Sequence, residues 1–152
     1  MPTLVLETEV DAPPQRVFDV ARRVQSHADP LAGTDATLDG TANGRLELGD
    51  VLTWRTRRFG LPLEFTVQVT QLESPAHLRG KQVDGPLAEL VHDHRFERTA
   101  AGGTRLVDEC AFASPLGPLG SVADGLVLER RLEALLRRRN RALKSAAEGD
   151  SN

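Results

Sequence analysis

The chain has 152 residues, 39% of them hydrophobic and 27% charged, which is typical of a soluble globular domain with a substantial core. Its net charge of −3 argues against a nucleic-acid partner, because affinity for the phosphate backbone depends on positive charge. Aromatic residues for base stacking are few, and no apolar run approaches the roughly 18 residues that a membrane-spanning helix needs. We therefore expect no nucleic-acid binding and no stable membrane insertion.

The amino terminus and the cysteine content bear on compartment and cofactors. The first residues, MPTLVLETEVDAPP, become acidic without a basic start, so we expect no secretory signal and a cytoplasmic protein. Cys110 is the only cysteine, which argues against an internal disulfide and a thiolate metal cluster. The glycine-rich stretches lack the pattern of a phosphate loop or a dinucleotide site, so we expect no cofactor.

The first third of the chain predicts a strand followed by a short helix. Residues 3–11 alternate apolar and polar, and the APP segment that follows ends the strand. Because proline is tolerated in the first turn of a helix, residues 14–24 are expected to form one. Residues 34–48 are ambiguous, since they contain an Asn-Gly pair typical of a hairpin but alternate only modestly around it.

The middle of the chain predicts an antiparallel sheet. Short turns that contain glycine, proline or both separate five strand-like runs, at residues 50–59, 61–73, 76–84, 88–98 and 103–113. Connections this short join only antiparallel neighbours, and no crossover helix fits between them. We therefore predict a curved antiparallel meander.

A long helix is predicted near the carboxyl end, from about residue 120 to residue 146. Leucines recur there at helical spacing, at Leu128, Leu132, Leu135, Leu136 and Leu143. The opposite face is nearly all charged, and the basic run at 137–141 is more typical of a solvated face with ion pairs than of a nucleic-acid or membrane surface. Such a helix needs a partner, so we predict an α+β fold in which the sheet wraps around it. One domain would cover residues 1–147, with residues 148–152 as a frayed tail.

Strand alternation predicts which side chains face the space between sheet and helix. The three inner sets are Leu63, Phe65, Val67 and Val69; Leu90, His92, His94 and Phe96; and Leu106, Asp108, Cys110 and Phe112. If the last turn pairs Phe96 with Leu106, the same register places His94 opposite Asp108. For the strand at 50–59, which contains Trp54, the alternation does not decide which face points inward.

The predicted pair of His94 and Asp108 permits several interpretations. It would be a structural hydrogen bond, a general base with its orienting carboxylate or, together with His92, a metal site of two histidines and one carboxylate. Arg139 lies within the leucine stripe, from where it would reach Asp108, bind an acidic ligand or extend along the leucines to water.

Several motifs resemble those of a known superfamily. They are VDAP at 10–13 before the VF pair at 17–18, DVLTW at 50–54 leading to RFGL at 58–61, HDHRFE at 92–97, GTRLVD at 103–108 and SPLGPLG at 114–120. With the order of elements, they make the chain similar to the START-like superfamily, which includes the birch-pollen allergen, lipid-transfer domains and polyketide cyclase/dehydrase-type proteins. Within it, the chain most resembles small bacterial members of the last group. The resemblance implies the helix-grip fold, with a cavity between the final helix and the sheet. It does not choose among carriers, receptors and enzymes.

The first functional hypothesis is a protein that binds a mainly apolar small molecule, such as a lipid or a polyketide-like or aromatic compound, in this cavity. The predicted ligand-binding residues are Trp54, Phe65, Val67, Leu90, His92, Phe96, Leu106, Leu135 and Arg139. No metal is expected, and the oligomeric state and the identity of the ligand stay open.

The second hypothesis is a cyclase or dehydratase that uses the same cavity. His94, oriented by Asp108, would be the general base, and Arg139 would stabilise a developing enolate. The better-defined cyclases of the resembled group line their pockets with tyrosine or other hydroxyl groups, whereas this chain has no tyrosine. A third hypothesis is an interaction module with a collapsed cavity and an exposed apolar patch.

Overall fold

A computed structural model of the chain describes residues 3–23, 37–40, 44–58, 61–85, 87–113 and 122–149. The helices and strands of these segments are β1 (Thr3–Val10), α1 (Pro14–Ala21), β2 (Thr37–Gly40), β3 (Val51–Arg58), β4 (Leu61–Glu73), β5 (His77–Asp84), β6 (Glu89–Arg98), β7 (Thr104–Ala113) and α2 (Val122–Gly149). The first strand and the five strands of the meander are confirmed to within one residue at each end.

All seven strands pair antiparallel in one sheet, in the order β1-β7-β6-β5-β4-β3-β2. The amino-terminal strand therefore lies beside the last one, which ties the two ends of the chain together. Asn43 of the predicted Asn-Gly hairpin lies outside the described residues. In the described segments around it, β2 pairs with β3, and Arg45 forms an isolated bridge with Arg23.

Helix α1 covers one end of the sheet with an apolar face. It begins at Pro14, where the missing N–H costs no helical hydrogen bond. The side chains of its apolar face are almost fully buried, namely Val17, Phe18, Val20 and Ala21. Phe18 packs edge-on against Phe96 of β6, with ring centroids 5.2 Å apart. This end of the interior is thus filled by side chains.

Helix α2 packs against β1 and α1 and extends past the boundary expected at residue 147. Glu148 lies within the helix, where it accepts hydrogen bonds from the Asp11 amide (2.9 Å) and from Lys144 Nζ (2.7 Å). Glu148 and Gly149 therefore belong to the folded helix and not to a frayed tail, while residues 150–152 lie outside the described part of the chain.

The buried apolar residues form two clusters. The first, called the α1 core, contains α1 together with Phe96, Leu106 and Leu143; the second core contains Leu90, Cys110, Phe112 and Leu136. Several elements contribute to both clusters, and β6, β7 and α2 are three of them. In each of these three elements, buried polar side chains lie between the residues of the first cluster and the residues of the second.

Candidate functional site

Five polar side chains meet between the two cores, and we call them the polar cluster: His92 and His94 of β6, Asp108 of β7, and Arg139 and Asn140 of α2. Asp108 is fully buried at the centre. Its Oδ1 lies 2.9 Å from His92 Nε2, 2.8 Å from His94 Nδ1 and 2.9 Å from Arg139 Nη2. Its Oδ2 accepts a hydrogen bond from Asn140 Nδ2 at 2.6 Å. The carboxylate is therefore surrounded by donors on both oxygens.

The turn between β6 and β7 sets the register that brings the cluster together. The Thr99 amide bonds to the Gly103 carbonyl, and the Gly102 amide returns to the Thr99 carbonyl, both at 3.0 Å. Gly102 has φ 85°, a conformation that glycine adopts without a steric cost. The predicted register is confirmed, with His94 opposite Asp108 in the ladder.

Arg139 reaches into the protein from within the leucine stripe and is only 8% exposed. Its guanidinium bonds to Asp108 and to Asn140 Oδ1 (2.9 Å from Nη2), so the alternative in which it extends to water is wrong. The charged face beside it carries the expected ion pair between Arg137 and Glu133 at 2.8 Å.

Both ring nitrogens of His94 are already in contact with protein groups. Nδ1 lies 2.8 Å from Asp108 Oδ1, and the guanidinium of Arg139 lies against the ring, with Nη1 3.1 Å from Nε2. His94 is 5% exposed. No nitrogen of His94 is left for a ligand, so the geometry does not support its predicted role as the general base.

The charge states of the cluster follow from burial and from neighbouring charge. Burial lowers the pKa of His92, and burial followed by the charge of Arg139 lowers the pKa of His94 well below its usual value. Burial would raise the pKa of Asp108, but Arg139 and the two histidines outweigh it and hold that pKa well below its usual value. At neutral pH the cluster thus holds one carboxylate, one guanidinium and two neutral imidazoles.

A cavity of about 120 Å³ adjoins the polar cluster between α2 and the sheet. Trp54 and Phe65 form part of its wall and stack with ring centroids 5.4 Å apart and an interplanar angle of 13°. Leu135 of α2, 38% exposed, also borders the cavity and brings it to the surface. Of the predicted residues, those that line the cavity are Trp54, Phe65, Val67, Leu90, His92, His94, Leu135 and Arg139.

Three predicted site residues do not line the cavity. Phe96 and Leu106 belong to the α1 core, where Phe18 fills the space that would otherwise be open to a ligand. Asp108 lies behind the two histidines and Arg139, so it acts on the cavity only through them. Strand alternation predicted correctly that all three face inward, but it carries no information on how far α1 extends over the sheet.

The structure adds residues that were not among the predicted site residues. Leu46, Leu52, Leu132 and Leu136 add apolar surface to the cavity. Asn140 was missed because it lies within a run of arginines that is typical of a solvated face. Asn140 lies four residues after Leu136 and three before Leu143, and this spacing indicates that it shares their face of the helix.

The histidines and Asp108 also satisfy the distance requirement of a metal site, because one potential ligand atom from each lies within 4.8 Å of the others. However, Arg139 Nη2 lies 2.9 Å from both Asp108 Oδ1 and His94 Nδ1. The guanidinium thus already supplies a positive charge at the carboxylate, and a metal ion beside it would be repelled. We interpret the cluster as an internal ion pair with two histidines.

Comparison with known proteins places this arrangement in a family. A family model described as polyketide cyclase / dehydrase and lipid transport matches residues 1–148. The chain belongs to this family. A search of curated proteins found no significant match.

Solved structures similar to this member of the polyketide cyclase/dehydrase and lipid-transport family share its fold at low sequence identity. TTHA0849 from Thermus thermophilus superposes with a TM-score of 0.79 at 16% identity, covering 99% of this chain and 100% of that one. Protein Ms6760 from Mycobacterium smegmatis gives 0.70 at 16% identity, covering 95% and 89%. Ginseng major latex-like protein 151 from Panax ginseng gives 0.67 at 10% identity, covering 96% and 97%. The helix-grip fold predicted from the sequence is confirmed.

Within the described residues of this family member, no helix is both long and apolar enough to cross a membrane.

Proposed function

We propose that the protein binds a small, mainly apolar molecule in the cavity between α2 and the sheet. The observation that carries the proposal is an open cavity with apolar walls and polar groups at one side, the usual character of a small-molecule site. The family description, which includes lipid transport, supports the same function. The third hypothesis, an interaction module, requires a collapsed cavity and therefore has less support.

The size of the cavity limits the part of the ligand that it encloses. A volume of about 120 Å³ is similar to that of a buried apolar cavity of roughly 150 Å³ that binds benzene. The enclosed part is therefore on the scale of one ring or a short chain, and a longer ligand would leave the cavity past Leu135. Burial of its apolar surface would supply most of the affinity, at roughly 25 cal/mol per Å².

Filling the cavity tests the binding function. Val67→Phe adds volume at the cavity wall, whereas Val5→Phe makes the same change on an exposed position of β1, 53% accessible, as a matched control. In native mass spectrometry of the purified proteins, we expect a small molecule to accompany the wild type and Val5→Phe but not Val67→Phe. The same pattern is expected when thermal stabilisation is screened with lipids and aromatic compounds.

Two outcomes would contradict this function. If Val67→Phe stays folded and retains the small molecule, the molecule is bound elsewhere. If no compound accompanies the wild type and none of a broad apolar panel raises its melting temperature, the cavity is not a binding site.

A second candidate function is a cyclase or dehydratase in the same cavity, and it requires His92 in place of His94 as the base. His92 borders the cavity and is held by Asp108 through Nε2 at 2.9 Å, the arrangement of a histidine oriented by a carboxylate. A neutral His92 is ready to take a proton from an enolisable substrate.

Hydrogen–deuterium exchange tests this second candidate without knowledge of the natural substrate. Small β-ketoesters and enolisable ketones are incubated with the protein in deuterated buffer, and loss of the α-proton is followed by NMR. We expect faster exchange with the wild type and with His77→Phe, a control on the other face of the sheet, and loss of this acceleration in His92→Phe. Exchange at the uncatalysed rate in the wild type would remove the enzymatic candidate and leave the binding function intact.

A further inference from the structure

We propose that the cavity selects an uncharged ligand with a hydrogen-bond donor, and that Nδ1 of His92 accepts the hydrogen bond from this donor. The inference rests on the proposed binding function and adds to it the polarity of the ligand and the atom that recognises it. Three observations carry it: the hydrogen bonding of His92, the pairing of the two arginines that border the cavity, and the apolar character of the remaining walls.

The hydrogen bonding of His92 leaves one nitrogen to the ligand. Nε2 lies 2.9 Å from Asp108 Oδ1, and because an ionised carboxylate only accepts, the proton of the neutral ring is on Nε2. Nδ1 is then an acceptor with a lone pair. In the part of the chain that the structure describes, no side chain or backbone group bonds to it. His92 borders the cavity, and 15% of its side chain is exposed.

His94 does not offer a comparable atom. Although it lies beside His92, with ring centroids 3.8 Å apart, its two nitrogens contact Asp108 and Arg139. The two cavity histidines therefore differ in role: His94 is part of the support, and His92 presents an acceptor to the ligand.

Both arginines that border the cavity are paired with aspartates. Arg139 bonds to Asp108. The Arg79 guanidinium bonds to Asp93 at 2.7 Å, on the same face of the sheet as His77 and away from the cavity. Among the described lining residues, no positive charge remains without a carboxylate partner for an anionic ligand. An acid that entered the cavity would lose its hydration without gaining a counter-charge, which is strongly unfavourable. The geometry therefore does not favour an acidic ligand on Arg139, one of the alternatives from the sequence.

A set of single-ring compounds of similar size tests this inference. Phenol offers a donor, anisole has an oxygen but no donor, toluene is apolar, and benzoate carries a negative charge. Binding to the isotope-labelled wild type is measured by NMR titration at pH 7.5. We expect phenol to bind about three- to tenfold more tightly than anisole or toluene, as one net hydrogen bond implies, and benzoate to bind most weakly.

Two further measurements assign the effect to His92. Binding of phenol should move the ¹⁵N resonance of the unprotonated nitrogen of His92 and leave the nitrogens of His94 nearly unchanged. In His92→Phe, which removes the acceptor but keeps a ring, phenol should bind no better than toluene. If this variant does not fold, the wild-type imidazole shifts decide the question.

The outcomes separate this inference from the binding function. If toluene or anisole binds as tightly as phenol, or benzoate binds more tightly than phenol, the inference is overturned while the cavity remains a binding site. If phenol is preferred but the His92 nitrogen does not respond, the acceptor is another group and the inference is again overturned. If none of the four compounds binds but the broad apolar panel still raises the melting temperature, the inference is overturned and the binding function stands; if the panel fails as well, both fail.

Discussion

At the scale of single residues, Asp108 determines the organisation of the site. A buried carboxylate is unfavourable unless charged and neutral donors surround it, and here four side chains do so. Removal of any one donor leaves a buried oxygen of Asp108 without one of its hydrogen-bond partners. Truncation of a nearby apolar side chain, in contrast, removes only packing contacts. The stability of the polar cluster therefore depends on the presence of all four donors to Asp108 more than on the strength of any one hydrogen bond.

Asn140 offers a direct test of this dependence. Asn140→Leu removes the 2.6 Å hydrogen bond to Asp108 Oδ2 and one acceptor for Arg139, at a position that is 2% exposed. We expect the free energy of unfolding to fall by about 1–3 kcal/mol, the cost of an unsatisfied buried polar group. Urea unfolding followed by circular dichroism measures it, with Arg141→Leu on the exposed neighbouring position as the control. Equal stability of the two variants would mean that the bond to Asp108 contributes nothing.

The sequence predicted part of this cluster and not the rest. Inward alternation and the glycine turn were sufficient to place His94 opposite Asp108, because register in a tight hairpin is a local property. Which histidine keeps a free nitrogen depends on where Arg139 arrives from a helix that lies far from both strands along the chain. No local pattern contains that information, so the sequence did not predict that Asp108 and Arg139 contact both ring nitrogens of His94.

At the scale of elements, helix α2 has one leucine stripe with two roles. Its later part, including Leu143 and Ala147, is buried in the α1 core. Its earlier part, with Leu132, Leu135 and Leu136, borders the cavity. Periodicity in the sequence predicted the stripe but not this division, because spacing alone cannot tell whether a packing partner or an open space lies opposite.

Substitution of the leucines should separate these two roles. Leu143→Ala removes a side chain that is 1% exposed and is expected to lower the free energy of unfolding by about 2–5 kcal/mol. Leu135→Ala removes one that is already 38% exposed, so we expect a loss below about 1 kcal/mol together with weaker ligand binding. Urea unfolding and ligand titration of the two variants provide the comparison. Similar losses of stability would show that both halves of α2 are packed alike.

At the scale of the whole molecule, the antiparallel sheet and its closing helix were predictable because the strands of the meander follow one another through short turns. The volume of the cavity was not predictable, since it depends on the packing of elements distant in sequence. Phe96 and Leu106 illustrate the limit. They face the interior as predicted, but they pack in the same buried cluster as α1 and do not border the cavity.

The buried neutral histidines also make the stability of the whole molecule depend on pH. Burial lowers the pKa values of His92 and His94 in the folded state, so below about pH 6.5 the unfolded chain binds protons that the folded protein does not. Stability is therefore complete above this pH and falls on acidification, by up to about 1.4 kcal/mol per pH unit for each histidine. A second loss is expected below about pH 4, where Asp108 is protonated in the unfolded chain but not in the folded one.

Urea unfolding at a series of pH values from 8 to 3 measures both losses. His92→Phe should reduce the slope between pH 6.5 and 5, because one of the two histidines no longer titrates. A free energy of unfolding that stays constant from pH 8 to pH 5 would show that the buried histidines keep their ordinary pKa values.

The stacked pair of Trp54 and Phe65 has a practical consequence. Trp54 is the only tryptophan of the chain, and there is no tyrosine. Intrinsic fluorescence excited at the red edge of the absorption band, where only indole absorbs, therefore originates from the wall of the cavity alone. Trp54 is therefore an intrinsic fluorescent probe of the cavity, and ligand binding can be followed in real time without a label.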